Sequence, residues 1–234
     1  MNIEQLSKRL NAVYQYIPNQ AVLADIGSDH AYLPCYAVQT GRAVRAIAGE
    51  VAEGPFRSAL NQVTEADLLN KIDVRKGDGL EVLSPGEVNC ITIAGMGGAL
   101  ISRILEEGKD KLTKETRLIL QPNVGGNQVR KWLDKNGWTI VTEQILEEDD
   151  HIYEIICADF LQEKKQPLSE VELLMGPFLI KEKNQAFIHK WQGEKEQLER
   201  VLQSLELANP TDGTNEKKNK IRNELKLIEE GLRQ

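Results

Sequence analysis

One short stretch, residues 21–34, limits the folds open to this chain more than any other. It begins with an apolar run, residues 21–24, of the kind that forms a buried parallel strand. Asp25 follows where we expect the strand to end, and Gly27 lets the chain turn sharply with its backbone open to a ligand. A helix is predicted over residues 31–39. Strand, acid, glycine turn and helix together describe the first crossover of a nucleotide-binding sheet.

The residues after Gly27 favour a cationic ligand over a pyrophosphate. A dinucleotide fingerprint needs three glycines, and only the first is present here. Asp29 and His30 stand where a pyrophosphate would need bare backbone, and a carboxylate there repels phosphate. S-adenosylmethionine (SAM) carries a sulfonium and an ammonium group but no phosphate, so it suits the site better. An equally open interpretation is that Ser28 or Asp29 only caps the following helix.

Length, charge and cysteine content exclude several classes of protein. With 234 residues the chain can hold one sizeable core and an appendage. Its whole net charge of -7 lies in residues 1–160, so nucleic-acid binding would need a local basic patch. Three scattered cysteines and three histidines predict a reducing compartment and no metal site. We expect no membrane span and no signal peptide, hence a cytoplasmic location.

The order of the predicted elements is that of an α/β fold. An amphipathic helix over residues 3–16 precedes the first strand. The later strands are predicted over residues 43–51, 71–80, 88–98, 117–123, 138–146 and 151–160. A hairpin after five alternating strand–helix units is the order of a Rossmann-like, class I SAM-dependent methyltransferase sheet, with seven strands and the last one antiparallel.

Acidic residues follow the second and third strands as well as the first. Glu50, next to Val51, falls where such folds place an acid for the ribose hydroxyls. Asp78, before Gly79, stands where SAM-binding folds often place an acid for the adenine amine. With Asp25 they would form one cleft for a positively charged methyl donor. The alternatives are an ordinary exposed glutamate and a tight Gly-Asp-Gly turn.

Small residues and amides follow the fourth and fifth strands. Ala94, Gly95 and Met96 would let cofactor and substrate meet over bare backbone. Gln121 and Asn123 flank a proline at the edge where open parallel sheets bind ligands. Their amides could read the edge of a base, because each carries donors and acceptors. A polar loop before a helix is the other interpretation.

The last part of the chain differs from the rest. We expect a catalytic domain over residues 1–160 and a helical domain over 161–234, joined by a linker at 162–167. After a short helix at 168–175, two long helices around a turn at 209–213 would form an antiparallel, coiled-coil-like hairpin. Its lysines, either a solvated face or an RNA clamp, are Lys181, Lys183, Lys190, Lys195, Lys217, Lys218 and Lys220. The hairpin could equally serve self-association, so a monomer or weak homodimer is expected.

Several motifs in fixed order resemble one known family. They are residues 25–34, 49–51 with 54–55, 77–80, 93–98 and 121–123. Together they are similar to the bacterial tRNA adenine-N1-methyltransferases that modify adenine 22 in the D-arm region. The similarity covers about residues 1–160, and the helical tail also matches. The resemblance implies SAM as methyl donor and tRNA as acceptor.

The resemblance also suggests a role for each candidate residue. Asp29 is the expected catalytic group, which would hold the adenine amine and stabilise the cationic product base. Tyr32, Gln121 and Asn123 are expected to contact the substrate, although Tyr32 could equally belong to the core. The residues expected around the cofactor are Asp25, Gly27, Ser28, His30, Glu50, Val51, Asp78, Gly79, Ala94, Gly95 and Met96.

Three rival functions remain open from the sequence. An NAD-linked dehydrogenase could use Gly27 and Glu50, but the missing glycines argue against it. A methyltransferase of another RNA or a small molecule would share the same sheet. A non-catalytic RNA-binding protein on this fold is the third rival, and the number of candidate acids argues against it.

Overall fold

A seven-stranded sheet forms the centre of the computed structural model, which describes residues 5–161, 166–207 and 212–233. The strands are β1 (Ala21–Ile26), β2 (Ala43–Glu50), β3 (Ile72–Lys76), β4 (Cys90–Gly97), β5 (Arg117–Val124), β6 (Thr139–Glu148) and β7 (His151–Asp159). Their order is β3-β2-β1-β4-β5-β7-β6, and β7 is antiparallel to both of its neighbours. The predicted Rossmann-like methyltransferase sheet is therefore confirmed.

Helices cover both faces of this sheet and continue beyond it. They are α1 (Lys8–Gln15), α2 (Tyr32–Gln39), α3 (Glu53–Glu65), α4 (Gly98–Glu107), α5 (Gly126–Lys135), α6 (Glu170–Met175), α7 (Leu179–Glu182), α8 (Gln185–Glu206) and α9 (Asp212–Arg233). Buried strand residues alternate between the two apolar layers: Leu118 and Leu120 face one layer, and Ile119 faces the other. No helix within the described ranges is both long and apolar enough to cross a bilayer.

Helix α1 is shorter than the sequence predicted. It begins at Lys8 because Ser7 is its N-cap, and residues 3 and 4 of the predicted helix lie outside the described residues. The carboxylate of Glu148, from the end of β6, accepts hydrogen bonds from the backbone N–H groups of Lys8 (2.6 Å) and Arg9 (3.0 Å). An acid at a helix N-terminus is favourable, so this contact fixes α1 to the β6–β7 hairpin.

The entry to α2 also differs from the prediction, because neither Ser28 nor Asp29 caps it. The N-cap is Ala31, and the hydroxyl of Ser28 donates to Asp25 instead. Three consecutive residues without the freedom of glycine, Asp29, His30 and Ala31, adopt left-handed conformations with φ of 37°, 64° and 54°. Such conformations are costly and concentrate at ligand-binding sites.

The C-terminal helices form the predicted antiparallel hairpin. Lys195 on α8 pairs with Glu229 on α9 at 3.0 Å, and Glu206 pairs with Arg222 at 3.1 Å, so the helices run in opposite directions. The first of the two predicted long helices begins at Gln185, after the separate short helix α7, because Asn184 caps it. Residues 162–165 of the predicted linker and 208–211 at the predicted turn lie outside the described residues.

The base of the hairpin packs directly on the sheet. Ile145 of β6 shares one buried apolar cluster with Leu179, Phe187, Trp191 and Ile228. Burial of this cluster couples the two predicted domains through a common core. The domain boundary at residue 160 stays a prediction.

Buried charges join the same two parts of the chain. Arg130 of α5 donates to Glu143 (2.7 Å) and to Glu154 (2.6 Å), and Lys190 of α8 also bonds Glu154. The side chain of Arg130 is completely buried. Each cation faces a carboxylate, so these four residues form a neutral buried ion network.

Candidate active site

A cavity of about 290 Å³ opens at the carboxyl ends of β1 and β4. Of the candidate residues, Asp25, Gly27, Ser28, Asp29, Ala94, Gly95, Met96 and Asn123 line it. Four further residues line the cavity that the sequence analysis did not predict as site residues: Arg9, Leu10, Leu33 and Tyr153. Ligands bind at this edge in open parallel sheets, because the strand order reverses between β1 and β4.

Asp25 organises the floor of this cavity. Its side chain is buried, and it accepts hydrogen bonds from the hydroxyls of Ser28 and Thr92, both at 2.6 Å. Burial raises the pKa of Asp25, while these two hydroxyls and the charge of Arg9 act in the opposite direction. Asp25 therefore joins β1, β4 and the glycine turn. Each of its carboxylate oxygens already accepts one of these hydrogen bonds and has one further lone pair for a ligand.

Gly27 leaves room where a side chain would close the cavity. Its φ is +70°, and a Cβ at this position would lie 2.1 Å from Cε of Met96. Because Met96 also lines the cavity, any larger residue at position 27 must push it into the open space.

Replacing Gly27 with valine is expected to weaken SAM binding about five- to a hundredfold, since crowding the turn costs on the order of 1–3 kcal/mol. Isothermal titration calorimetry of SAM binding measures the effect. Gly41→Val is the matched control, because Gly41 has φ +74° and nothing lies within 4 Å of the point that its Cβ would occupy. Equal losses in both variants would show that backbone strain, not cavity shape, is responsible.

Glu50 supports the loop at the cavity and does not line it. Its side chain is buried, and Oε1 accepts a hydrogen bond from the backbone N–H of Asp29 at 2.5 Å. Burial raises the pKa of Glu50, and the Asp29 N–H lowers it. The adjacent Val51 is 61% exposed. Glu50 thus holds the strained Asp29 backbone, while the Asp29 carboxylate is mostly exposed.

The three acids predicted to share one cleft do not all line the same cavity. Asp78 and Gly79 line a second cavity of about 240 Å³ beside α4. The 3₁₀ turn at Gly79–Val82 packs tightly there, since a Cβ on Gly108 would lie 2.4 Å from Cβ of Leu80. This packing draws the Gly-Asp-Gly turn toward the end of α4, a placement that strand order alone did not indicate.

His30 and Tyr32 lie beside the first cavity without lining it. Their rings stack on each other, with centroids 5.4 Å apart and planes 18° apart. The imidazole Nε2 of His30 is 3.6 Å from Oδ1 of Asp29. Their expected roles at the cofactor and the substrate stay predictions.

Gln121 forms three hydrogen bonds within the protein. Its Oε1 accepts hydrogen bonds from Gly95 N (3.0 Å) and Arg9 Nη1 (2.7 Å), and its Nε2 donates to Asn123 Oδ1 (3.1 Å). Asn123 Nδ2 in turn donates to Gly95 O at 2.9 Å. Gln121 is completely buried, so it positions the other three residues, whereas exposed Asn123 can contact a base.

Arg9 and Tyr153 are cavity residues that the sequence patterns did not reveal. The sequence predicts only that Arg9 belongs to the first helix and that Tyr153 belongs to the last strand. The Arg9 guanidinium lies over the Tyr153 ring, 5.4 Å from Cζ to the centroid. Only the docking of α1 against the β6–β7 hairpin brings them together, and no local sequence signal could have indicated it.

Comparison with known proteins agrees with this geometry. The profile of the TrmK family, described as tRNA (adenine(22)-N(1))-methyltransferase, matches residues 23–230. The chain belongs to this family. Its relative in Bacillus subtilis, a tRNA (adenine(22)-N(1))-methyltransferase, is 48% identical over 234 residues and 98% of both chains.

Solved structures of TrmK relatives contain the cofactor or its product. Streptococcus pneumoniae Sp1610 in complex with S-adenosyl-L-methionine superposes with a TM-score of 0.87 and 44% identity, covering 97% of this chain and 100% of that one. M. capricolum TrmK with S-adenosyl-homocysteine has a TM-score of 0.84 and 30% identity, covering 97% of both chains. The family therefore uses SAM.

Proposed function

We propose that the cavity at the ends of β1 and β4 is where this TrmK family member transfers a methyl group from SAM to N1 of adenine 22 in tRNA. The observation that carries this proposal is the convergence of Asp25, Gly27, Asp29, Gly95 and Asn123 on one cavity. It supports a cationic cofactor and a polar base in a common space.

The residues of the cavity fit SAM in charge and shape. Asp25 supplies negative charge at the floor of the cavity, and Gly27 leaves the turn open. Among the described residues only Oε1 of Glu50 has a hydrogen-bond partner, so Oε2, beside the same loop, is suited to ribose hydroxyls. No group of three or more metal-ligating side chains occurs among the described residues, and the proposal requires none. When bound, SAM supplies the electrophilic methyl group.

The chain's own contribution is chiefly positioning. Adenine N1 has a free lone pair, so no proton must be removed before attack. Holding the base in line can supply several kcal/mol, up to about 7–11 kcal/mol. Asn123 would orient the base edge, and Gln121 would hold Asn123 in place. Since N1 is on the pairing edge, the base must first be unpaired, at a cost of a few kcal/mol.

Asp29 is the proposed catalytic residue. The methylated base carries a positive charge, and a carboxylate that accepts from its amine stabilises that charge. The left-handed backbone of Asp29, held by Glu50, presents this carboxylate to the cavity and to solvent. Such a fixed but exposed acid can meet a base arriving from outside.

The helical hairpin is the proposed tRNA contact, but fewer lysines are free for it than the sequence suggested. Lys190, Lys195 and Lys220 pair with carboxylates, Lys183 donates to a backbone carbonyl, and Lys181 lies over the Phe178 ring. Lys217 and Lys218, near the start of α9, remain the candidates for phosphate contacts.

The hairpin idea is tested best without deleting residues 161–234, because their removal would uncover the apolar cluster shared with β6. We expect Lys217→Glu with Lys218→Glu to weaken tRNA binding about tenfold or more at low salt, and to leave SAM binding unchanged. Filter binding at several salt concentrations measures this. A tRNA affinity equal to that of the wild type would remove the hairpin from the tRNA contact.

Two further properties are part of the proposal. The enzyme acts as a monomer or weak homodimer, which light scattering after gel filtration would measure. It works in the cytoplasm, where its tRNA substrate is found.

Labelled methyl transfer is the test of the whole proposal. Purified protein, SAM labelled in its methyl group and unmodified tRNA should give labelled 1-methyladenosine after digestion to nucleosides. A tRNA with adenine 22 replaced by guanine should remain unlabelled. Label in another nucleoside would indicate a different target, and SAM binding without any transfer would favour the non-catalytic alternative.

A further inference from the structure

The side chain of Arg9 lies in the cavity, and the roles given above leave it without a function. Its guanidinium lies against the backbone of Gly95, with Nη1 3.5 Å from where a Cβ would stand. Nη1 donates to Gln121 Oε1 at 2.7 Å, and the ring of Tyr153 lies under Cζ. A guanidinium held on two sides is already oriented before any ligand arrives.

Arg9 has more hydrogen-bond donors than its protein neighbours use. A guanidinium carries five N–H groups, and within the described ranges only Nη1 has a side-chain acceptor. No carboxylate there forms an ion pair with it, although its charge reaches Asp25 and lowers that group's pKa against the larger effect of burial. A half-buried cation without a carboxylate partner is costly unless a ligand supplies the anion.

The position of Arg9 is fixed by tertiary contacts. Glu148 accepts from the backbone N–H of Arg9 and of its neighbour Lys8, so α1 is held against the β6–β7 hairpin. The guanidinium consequently stays at the wall of the cavity that Gly27 and Asp25 also line. This placement is what an anion-binding group needs.

We infer that Arg9 binds an anionic oxygen group of a cavity ligand through Nε and Nη2, an inference that rests on the proposed function. Two sources offer this chemistry: the carboxylate of the methionine end of SAM, and a phosphate of the target nucleotide. The neighbourhood favours the carboxylate. Asp25 supplies a carboxylate for the ammonium of the same zwitterion, and Arg9 supplies a cation for its carboxylate.

The experiment compares binding of SAM and of decarboxylated SAM, which lacks only the carboxylate, to wild type, Arg9→Gln and Arg9→Lys. Calorimetry should show that wild type binds SAM about ten- to a hundredfold more tightly than the decarboxylated form, as a charge-assisted hydrogen bond predicts. Arg9→Gln should lose this preference, and Arg9→Lys should keep part of it. Lys8→Gln, exposed on the same helix, controls for net charge.

The other outcomes show whether Arg9 binds the nucleotide phosphate instead of the SAM carboxylate, or binds no anion and has only a structural role. If Arg9→Gln keeps the preference for SAM but its tRNA affinity falls at least about tenfold below that of Lys8→Gln, the anion is the nucleotide phosphate. The inference is overturned if Arg9→Gln changes neither the preference for SAM over decarboxylated SAM nor the affinity for tRNA. It is also overturned if Arg9→Gln weakens the binding of SAM and of decarboxylated SAM equally and lowers the melting temperature, because Arg9 would then only support α1. Failure of wild type to bind SAM would instead overturn the proposed function.

Discussion

Replacing Asp29 with asparagine is expected to lower kcat for tRNA methylation by about a hundredfold or more, because removal of a group that stabilises transition-state charge typically costs 10²–10³. Asparagine tolerates the left-handed backbone at this position, so the loop should keep its shape. SAM affinity should change little. Single-turnover methylation with saturating SAM measures the chemical step.

The control for this variant is Asp67→Asn. Asp67 is an exposed acid with φ 56°, so the substitution removes the same charge from the same backbone conformation away from the cavity. It should methylate tRNA at the wild-type rate. If Asp29→Asn did so as well while binding SAM normally, Asp29 would not be the catalytic group.

Replacing Arg130 with methionine is expected to lower the free energy of unfolding by about 3–5 kcal/mol, as when one partner of a buried ion pair is removed. Glu143 and Glu154 would remain buried, with only Lys190 left to balance them. Urea unfolding followed by circular dichroism measures the change. Arg57→Met, which breaks an exposed pair with Glu53, should cost little.

The decrease in the free energy of unfolding caused by Arg130→Met should depend on pH. Burial alone raises the pKa of Glu154, but the charges of Arg130 and Lys190 outweigh it and hold the value at about 2. In wild type the ionised Glu154 therefore stabilises the folded state. This contribution is complete above the pKa of about 4.3 that a glutamate has in the unfolded chain, and it is lost as the pH falls toward 2. Without Arg130 the buried carboxylates can protonate more easily, so the difference between variant and wild type should shrink from pH 7 to pH 4. A difference that grows on acidification would contradict the network.

The sequence by itself determined the sheet and most of the cavity floor. Asp25, Gly27, Gly95 and Asn123 lie at or just after the carboxyl ends of apolar strands, and parallel strands place those ends at one edge. A local pattern is sufficient for this, because strand length, glycine turns and the succession of strands and helices along the chain are each indicated by neighbouring residues. Family membership followed from the same motifs in the same order.

Only the tertiary structure decided what each side chain at that edge contacts. Asp78 lines a separate cavity beside α4, Glu50 supports the Asp29 loop, and the Gln121 amide forms hydrogen bonds with its neighbours. Arg9 enters the cavity because Glu148, far along the chain, fixes the start of α1. Contacts between residues more than a hundred positions apart depend on how whole elements dock, and no local spacing encodes that docking.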